Sequence, residues 1–201
     1  MLRTSAIVVA ILLYVSSHCH LLAAAEPLGF TERVHDAVER SLPLLEIASA
    51  ETAQRRTCFT CHGQAMPAVV FAEARKHGFH IDPDNLLRQL DHTYAHLKRS
   101  QKQYADGRGT GGQVDTAGWA LWGLEAGERS ADDISDTVVE YLLGKQRESG
   151  VWSCSSNRPP SEKSNFATTY LALRAIENFG RPSHQSKIDE VTRNAAKWFE
   201  T

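Results

Sequence analysis

Five consecutive residues, Cys58-Phe59-Thr60-Cys61-His62, concentrate more chemistry than any other stretch of the chain. Two thiols separated by two residues can each add to a vinyl group of one haem, and the histidine that follows then lies beneath the porphyrin to bind iron. The spacing predicts covalent haem c, with Cys58 and Cys61 as the thioether positions and His62 as the axial ligand to the haem iron. Other chemistries use the same residues. A Cys58–Cys61 disulfide fits so short a loop, and a zinc ion could take Cys58, Cys61 and His62 while still lacking a fourth ligand. Met66 is too close to His62 to reach the opposite face of a haem, so His77, His80, His92 and His96 are the candidates for a sixth ligand. His92 and His96 share a helix face at i,i+4 spacing.

The N-terminus bears on that choice. Arg3 supplies a short positive region, Ala6 to Val15 an apolar run too short to span a bilayer, and Ala23 and Ala25 the small residues of a peptidase site. The expectation is a signal peptide over residues 1–25, cleaved after Ala25, and a periplasmic or secreted mature chain with no membrane span. Export favours haem, because c-type haem is attached outside the cytoplasm. Three cysteines outlast cleavage, Cys58, Cys61 and Cys154, an odd number that a disulfide framework would not use. A formal net charge of -2 gives no reason to expect nucleic acid as a partner.

These residues must be held by helices. Apolar residues recur at helical spacing through most of the chain, and no segment alternates as a strand would. Thr31 can cap a helix carrying Val34, Val38 and Leu42, which Pro43 is expected to kink or end. Pro67 suits a first helical turn, Gly78 a helix stop, and Asp82-Pro83 a second start. Leu86, Leu87, Leu90, Tyr94 and Leu97 then line one side of a longer helix. Asp106 to Gly112 reads as a flexible connection, since no strand precedes it and no Lys-Ser/Thr pair ends it. From there the chain repeats: Thr116 to Leu124 aligns with Thr168 to Ile176, and each is followed by a turn and a second helix. Ser130 with Asp133 has the spacing of a capping box for the first of these second helices. A long connection, Glu148 to Lys163, separates the repeats. Helix pairs of this kind bury little alone and stack on neighbours. The expected fold is all-α stacked helical hairpins, with residues 26–112 and 113–201 forming one continuous domain.

Gln146-x-x-x-Gly150-x-Trp152 resembles the QW motif of squalene–hopene cyclases and related prenyltransferase repeats. The resemblance implies a partial α/α toroid in which Gln146, Gly150 and Trp152 tie one helix to the next as structural residues. A wider pattern comprises Ser41-Leu-Pro-Leu-Leu45, the CxxCH segment, Ala72-x-Ala74-Arg75-Lys76-x-Gly78-Phe79, Arg158-Pro-Pro160 and Ala172-Leu-Arg174-Ala175. It is similar to a group of exported bacterial proteins in which CxxCH precedes such repeats. Members of that group usually continue beyond the point corresponding to Thr201, so a short or truncated member, or closure by self-association, is expected. The cyclases' acid motif is missing. Asp132-Asp133 is the only adjacent aspartate pair and sits where a helix start wants acids.

The leading functional expectation is an exported haem-c protein acting in electron transfer or redox sensing with an unidentified redox partner. One alternative is a terpenoid-cyclase-like enzyme or isoprenoid binder, with Trp119, Trp122, Trp152 and Trp198 as candidate pocket residues. Another is a non-catalytic interaction module with a structural Cys58–Cys61 disulfide. No complete catalytic constellation is visible.

Overall fold

A computed structural model of the chain describes residues 29–155, 157–158 and 162–200. The expected signal segment, Met1 to Ala25, and the Pro159-Pro160 pair lie outside the described residues. Seven α-helices occur among the described residues: α1 (Phe30–Arg55), α2 (Met66–Lys76), α3 (Pro83–Ala105), α4 (Val114–Ala126), α5 (Asp133–Leu143), α6 (Asn165–Phe179) and α7 (Gln185–Phe199). A π-helical turn, Cys61–Ala65, leads into α2, and a 3-10 turn, Pro182–His184, leads into α7. No strand occurs among the described residues, and an isolated antiparallel bridge pairs Arg158 with Glu162. No described helix is long and apolar enough to cross a membrane.

The chain divides into two compact units, Met1–Val38 and Glu39–Thr201, with the division inside α1. In the first, the Gly29 N–H donates to Glu32 Oε2 at 2.8 Å, placing an acid at the positive end of the helix. The second unit holds everything discussed below. Pro43, expected to kink or end α1, does not end it. Pro43 is exposed, where a missing backbone N–H is least costly.

In the second unit α2, α4 and α6 pack side by side, and so do α3, α5 and α7. Consecutive helices also touch, so the chain alternates between two layers. The amphipathic stripe of α3 explains its place. Leu86, Leu90, Thr93, Leu97, Ser100 and Tyr104 are buried at alternating intervals of four and three. Leu87 and Tyr94 fall off that stripe: Leu87 is exposed, and the Tyr94 ring lies under the Arg129 guanidinium at 3.5 Å. By contrast α4 is buried on nearly every side, as a helix in the middle of a layer must be. Its small residues make this possible. A Cβ on Gly118 would lie 2.7 Å from Leu171 Cβ on α6, and one on Gly123 would lie 3.2 Å from Ala65 Cα.

Helix ends follow local chemistry. Phe79 N–H donates to Ala74 O and Gly78 N–H to Arg75 O, a Schellman closure that needs the positive φ of Gly78. Asp82 Oδ1 accepts from Asp84 N–H to open α3. The cap of α5 is Asp132, not Ser130: Asp132 Oδ1 accepts from Ile134 and Ser135 N–H at 3.0 Å, and Ser135 Oγ accepts from Asp132 N–H. The helix begins at Asp133, so the cap must be the extended residue immediately before it.

Gln146, Gly150 and Trp152 join α5 to α7. Gln146 Nε2 donates to Gly150 O at 2.8 Å and to Val191 O at 2.7 Å. The fully buried Trp152 donates from Nε1 to Leu142 O at 2.7 Å. Gly150 has φ +90°, and a Cβ there would collide with the Asn194 carbonyl. Gly150→Ala should therefore lower stability by more than about 1 kcal/mol in thermal unfolding. Gly144→Ala, where φ is -78° and a Cβ would meet nothing closer than 3.6 Å, should be neutral or stabilising by up to about 1 kcal/mol.

Candidate functional site

The CxxCH segment crosses from surface to core within five residues. Cys58 is exposed, Phe59 buried, Cys61 buried and His62 exposed. The change of direction is built by the π-helical turn, which closes with a Met66 N–H donating to Cys61 O. Thr60 caps it from an extended backbone. Its Oγ1 accepts from Gly63 N–H at 3.1 Å and donates to Gln64 Oε1 at 2.8 Å. Its N–H donates to the same Gln64 oxygen at 2.7 Å. This is a capping box lengthened by the extra residue of the π turn. Gly63 is required here, because a Cβ would meet both Thr52 and Thr60 at 2.6 Å.

The Cys61 thiol points inward and donates to Glu162 Oε1 at 3.5 Å. Glu162 is itself buried and accepts from Arg158 Nη2 at 2.7 Å, while their backbones exchange two hydrogen bonds. Beside them lies Asp115, fully buried in the first turn of α4, whose Oδ1 accepts from Thr168 Oγ1 at 2.5 Å. Burial raises the Asp115 carboxyl above the usual carboxylate range, against the opposing pull of Thr168, the Cys154 thiol and the Ser155 N–H. Burial first, and then the Glu162 charge, push the Cys61 thiol well above its ordinary value. The glycine-rich connection closes this cluster. Gly112 approaches Thr116, Glu162 and Arg158, and Thr116 Oγ1 donates to Gly111 O at 2.5 Å. A thiol, two carboxylates and two threonines thus meet at the N-terminal ends of α4 and α6.

His62 faces the other way. It borders a cleft of about 360 Å³ with Leu45, Thr52, Arg56, Gly63 and Pro67, which neither Cys58 nor Cys61 lines. Two of the candidate sixth ligands lie near the segment. His92 Nε2 is 3.2 Å from Cys58 O, and the His96 ring stacks on Phe59 at 5.7 Å. His96 Nε2 is buried with no hydrogen-bond partner, and burial, Arg99 and His92 push its pKa down to about 4. His77 pairs with Glu73 at 3.2 Å, and His80 is exposed. No disulfide joins Cys58, Cys61 and Cys154.

A haem c site needs both sulfurs and the imidazole along one cavity. In the observed arrangement the three residues do not fit one, because Cys61 turns to Glu162 while Cys58 and His62 turn outward. The tryptophans do not gather either. Trp119 stacks on Trp122 at 5.0 Å, Trp198 packs on Phe166 and Phe199, and Trp152 lies in the core. Trp122 borders a cleft of about 340 Å³ whose walls include Glu73, Lys76, Glu125 and Arg174, a charged lining unsuited to an isoprenoid. A separate group, Asp136, Glu140 and His184, holds its ligand atoms within 4.8 Å of one another. Arg181 Nε already lies 3.2 Å from Asp136 there, so the group works as an ion-pair network.

Gln64, Asp115, Glu162 and Thr168 were not singled out from the sequence. The signal for two of them is present: Asp115-Thr116 and Thr168-Thr169 are polar pairs opening the two aligned, otherwise apolar repeat helices. Comparison with protein-family models, curated proteins and solved structures yields no match for this chain.

His96 sets a pH dependence. Its pKa is near 4 when folded against 6.5 as the reference, so the unfolded chain binds the proton first as pH falls. Stability should therefore decline between pH 6.5 and 4, and the decline should be shallower in His96→Gln when denaturant midpoints are compared across that range.

Proposed function

We propose that this chain is an exported helical-repeat protein of the α/α-toroid type that works through covalent chemistry at Cys61. Glu162 is the proton acceptor for its thiol in this reading. The observation that carries it is the burial of Cys61, Glu162 and Asp115 in one cluster at the ends of two core helices. Exchanging such buried groups for apolar side chains is often stabilising, and buried titratable groups gathered at one place are candidates for a working site. The alternation of helices between two layers, the small residues of α4 and the Gln146–Gly150–Trp152 link support the toroid. Arg3, the apolar run and Ala23-x-Ala25 support export.

Haem attachment is the second reading. The observation in its favour is the gathering of His92 and His96 beside Cys58 and Phe59, with His96 Nε2 buried and unpaired. It requires Cys61 to leave Glu162.

Two measurements separate these readings from a structural role. Cys61→Val combined with Glu162→Leu should unfold at a higher temperature than the parent, as expected when a buried working pair is exchanged for apolar packing. A lower unfolding temperature would assign the cluster to structure and overturn the first reading. Produced in an exporting host with haem-maturation machinery, the chain should be colourless. A Soret band lost in Cys58→Ala/Cys61→Ala would establish the second reading instead.

A further inference from the structure

Gln64 presents an imbalance that its capping role does not resolve. The side chain is fully buried, and its oxygen accepts two hydrogen bonds from Thr60, at 2.7 and 2.8 Å. Its amide nitrogen, equally buried, has no partner at all. A buried amide N–H2 without an acceptor is expensive and calls for an explanation. Capping uses only the oxygen, so the nitrogen's lack of a partner is not explained by the cap. The chemistry of an amide held in this way is different. Two donors on Oε1 polarise the carbonyl and make Cδ electrophilic, in the geometry that stabilises an oxyanion. The nitrogen, which no hydrogen bond holds, can depart as ammonia once it takes up a proton.

The nucleophile lies on the same turn. Cys61 is three residues before Gln64 within the same π-helical turn, and both side chains are buried. The Gln64 side chain also folds back to Thr60, the residue adjoining Cys61. Glu162 Oε1, 3.5 Å from the Cys61 sulfur, accepts the thiol hydrogen. The backbone is unusual where this happens, as π-helical turns often are at functional sites.

We propose that Cys61 and Gln64 form an internal thioester, with the Cys61 sulfur bonded to Gln64 Cδ. The proposal rests on the reading of Cys61 as the reactive thiol and names the group it reacts with. The Cys61 S–H bond and the Gln64 Cδ–Nε2 bond break, and an Sγ–Cδ bond forms. The thiol proton, accepted by Glu162, ends on the departing nitrogen, which leaves as ammonia. Nothing is oxidised or reduced, and no co-reactant is needed. The product stores an activated acyl group that a primary amine opens, forming a substituted amide at Gln64 and freeing the Cys61 thiol. Cys61 cannot serve as a haem thioether while this bond exists.

The test is the intact mass of the full chain purified without reductant or amine buffer, followed by methylamine treatment, iodoacetamide labelling and peptide mapping. The expected result is a mass short by one ammonia. Methylamine should then add to Gln64 and expose one new thiol at Cys61, and the mass deficit should be absent in Gln64→Ala. Because Gln64→Ala also removes the cap, Cys61→Ala, which keeps it, should likewise lack the deficit while retaining the parent's helical circular dichroism. A deficit that persists in Cys61→Ala would overturn the thioester. So would an unmodified mass. In that case, slow labelling of Cys61 in the native protein leaves the reactive-thiol reading standing. A Cys61 that stays unlabelled until the protein unfolds, together with an unmodified mass, removes both.

Discussion

The centre of this protein depends on how closely α4 is approached from two sides. Gly118 admits the Leu171 backbone of α6, and Gly123 admits Ala65 at the end of the π-helical turn. With side chains at those two positions the helices of this layer would move apart, and the polar groups at the helix ends would lose contact. Close packing of small residues draws the start of α2, the first turn of α4 and the first turn of α6 together. Cys61, Asp115 and Thr168 ride on those three segments, and Glu162 reaches them from just before α6.

What gathers there is costly. Cys61, Glu162 and Asp115 are each almost wholly shielded from water, and shielding disfavours charge on the Cys61 thiol and the Asp115 carboxyl. The cluster lowers the cost by local means. Arg158 pairs with Glu162, Thr168 serves Asp115, and the Cys61 thiol keeps its proton and gives its hydrogen bond to Glu162. Gln64 is the exception, a buried amide satisfied at its oxygen and not at its nitrogen. The account of function turns on that asymmetry, since a polarised carbonyl beside a buried thiol is a chemical arrangement and not merely a packed one.

Much of the helical framework was legible before any coordinates. The periodicity of α3, the proline at the start of α2, Gly78 at its end and the cap at Asp82 all act through local rules that the residues themselves announce. Pro43 does not mark the end of α1, because an exposed helix can carry a proline in its interior. The α5 cap was misplaced from Asp132 to Ser130 because two overlapping pairs, Ser130 with Asp133 and Asp132 with Ser135, share the capping-box spacing. The site was less legible still. CxxCH spacing says which residues are near one another along the chain, but not which way each side chain turns. A π-helical turn carries one more residue per loop than an α-helical one, and here Cys61 faces the core while its neighbour His62 faces out. Glu162 stands 101 positions away from Cys61, brought in by packing that no local pattern encodes.

The inward setting of Cys61 is the claim on which the rest stands, and thiol accessibility measures it most directly. A brief pulse of iodoacetamide on the native, reductant-free chain, quenched and read by peptide mapping, compares Cys58 and Cys61 within one molecule. Cys58 should be modified promptly and Cys61 at least ~10-fold more slowly, as burial and a raised thiol pKa both require. Equal and rapid modification of the two would contradict the account.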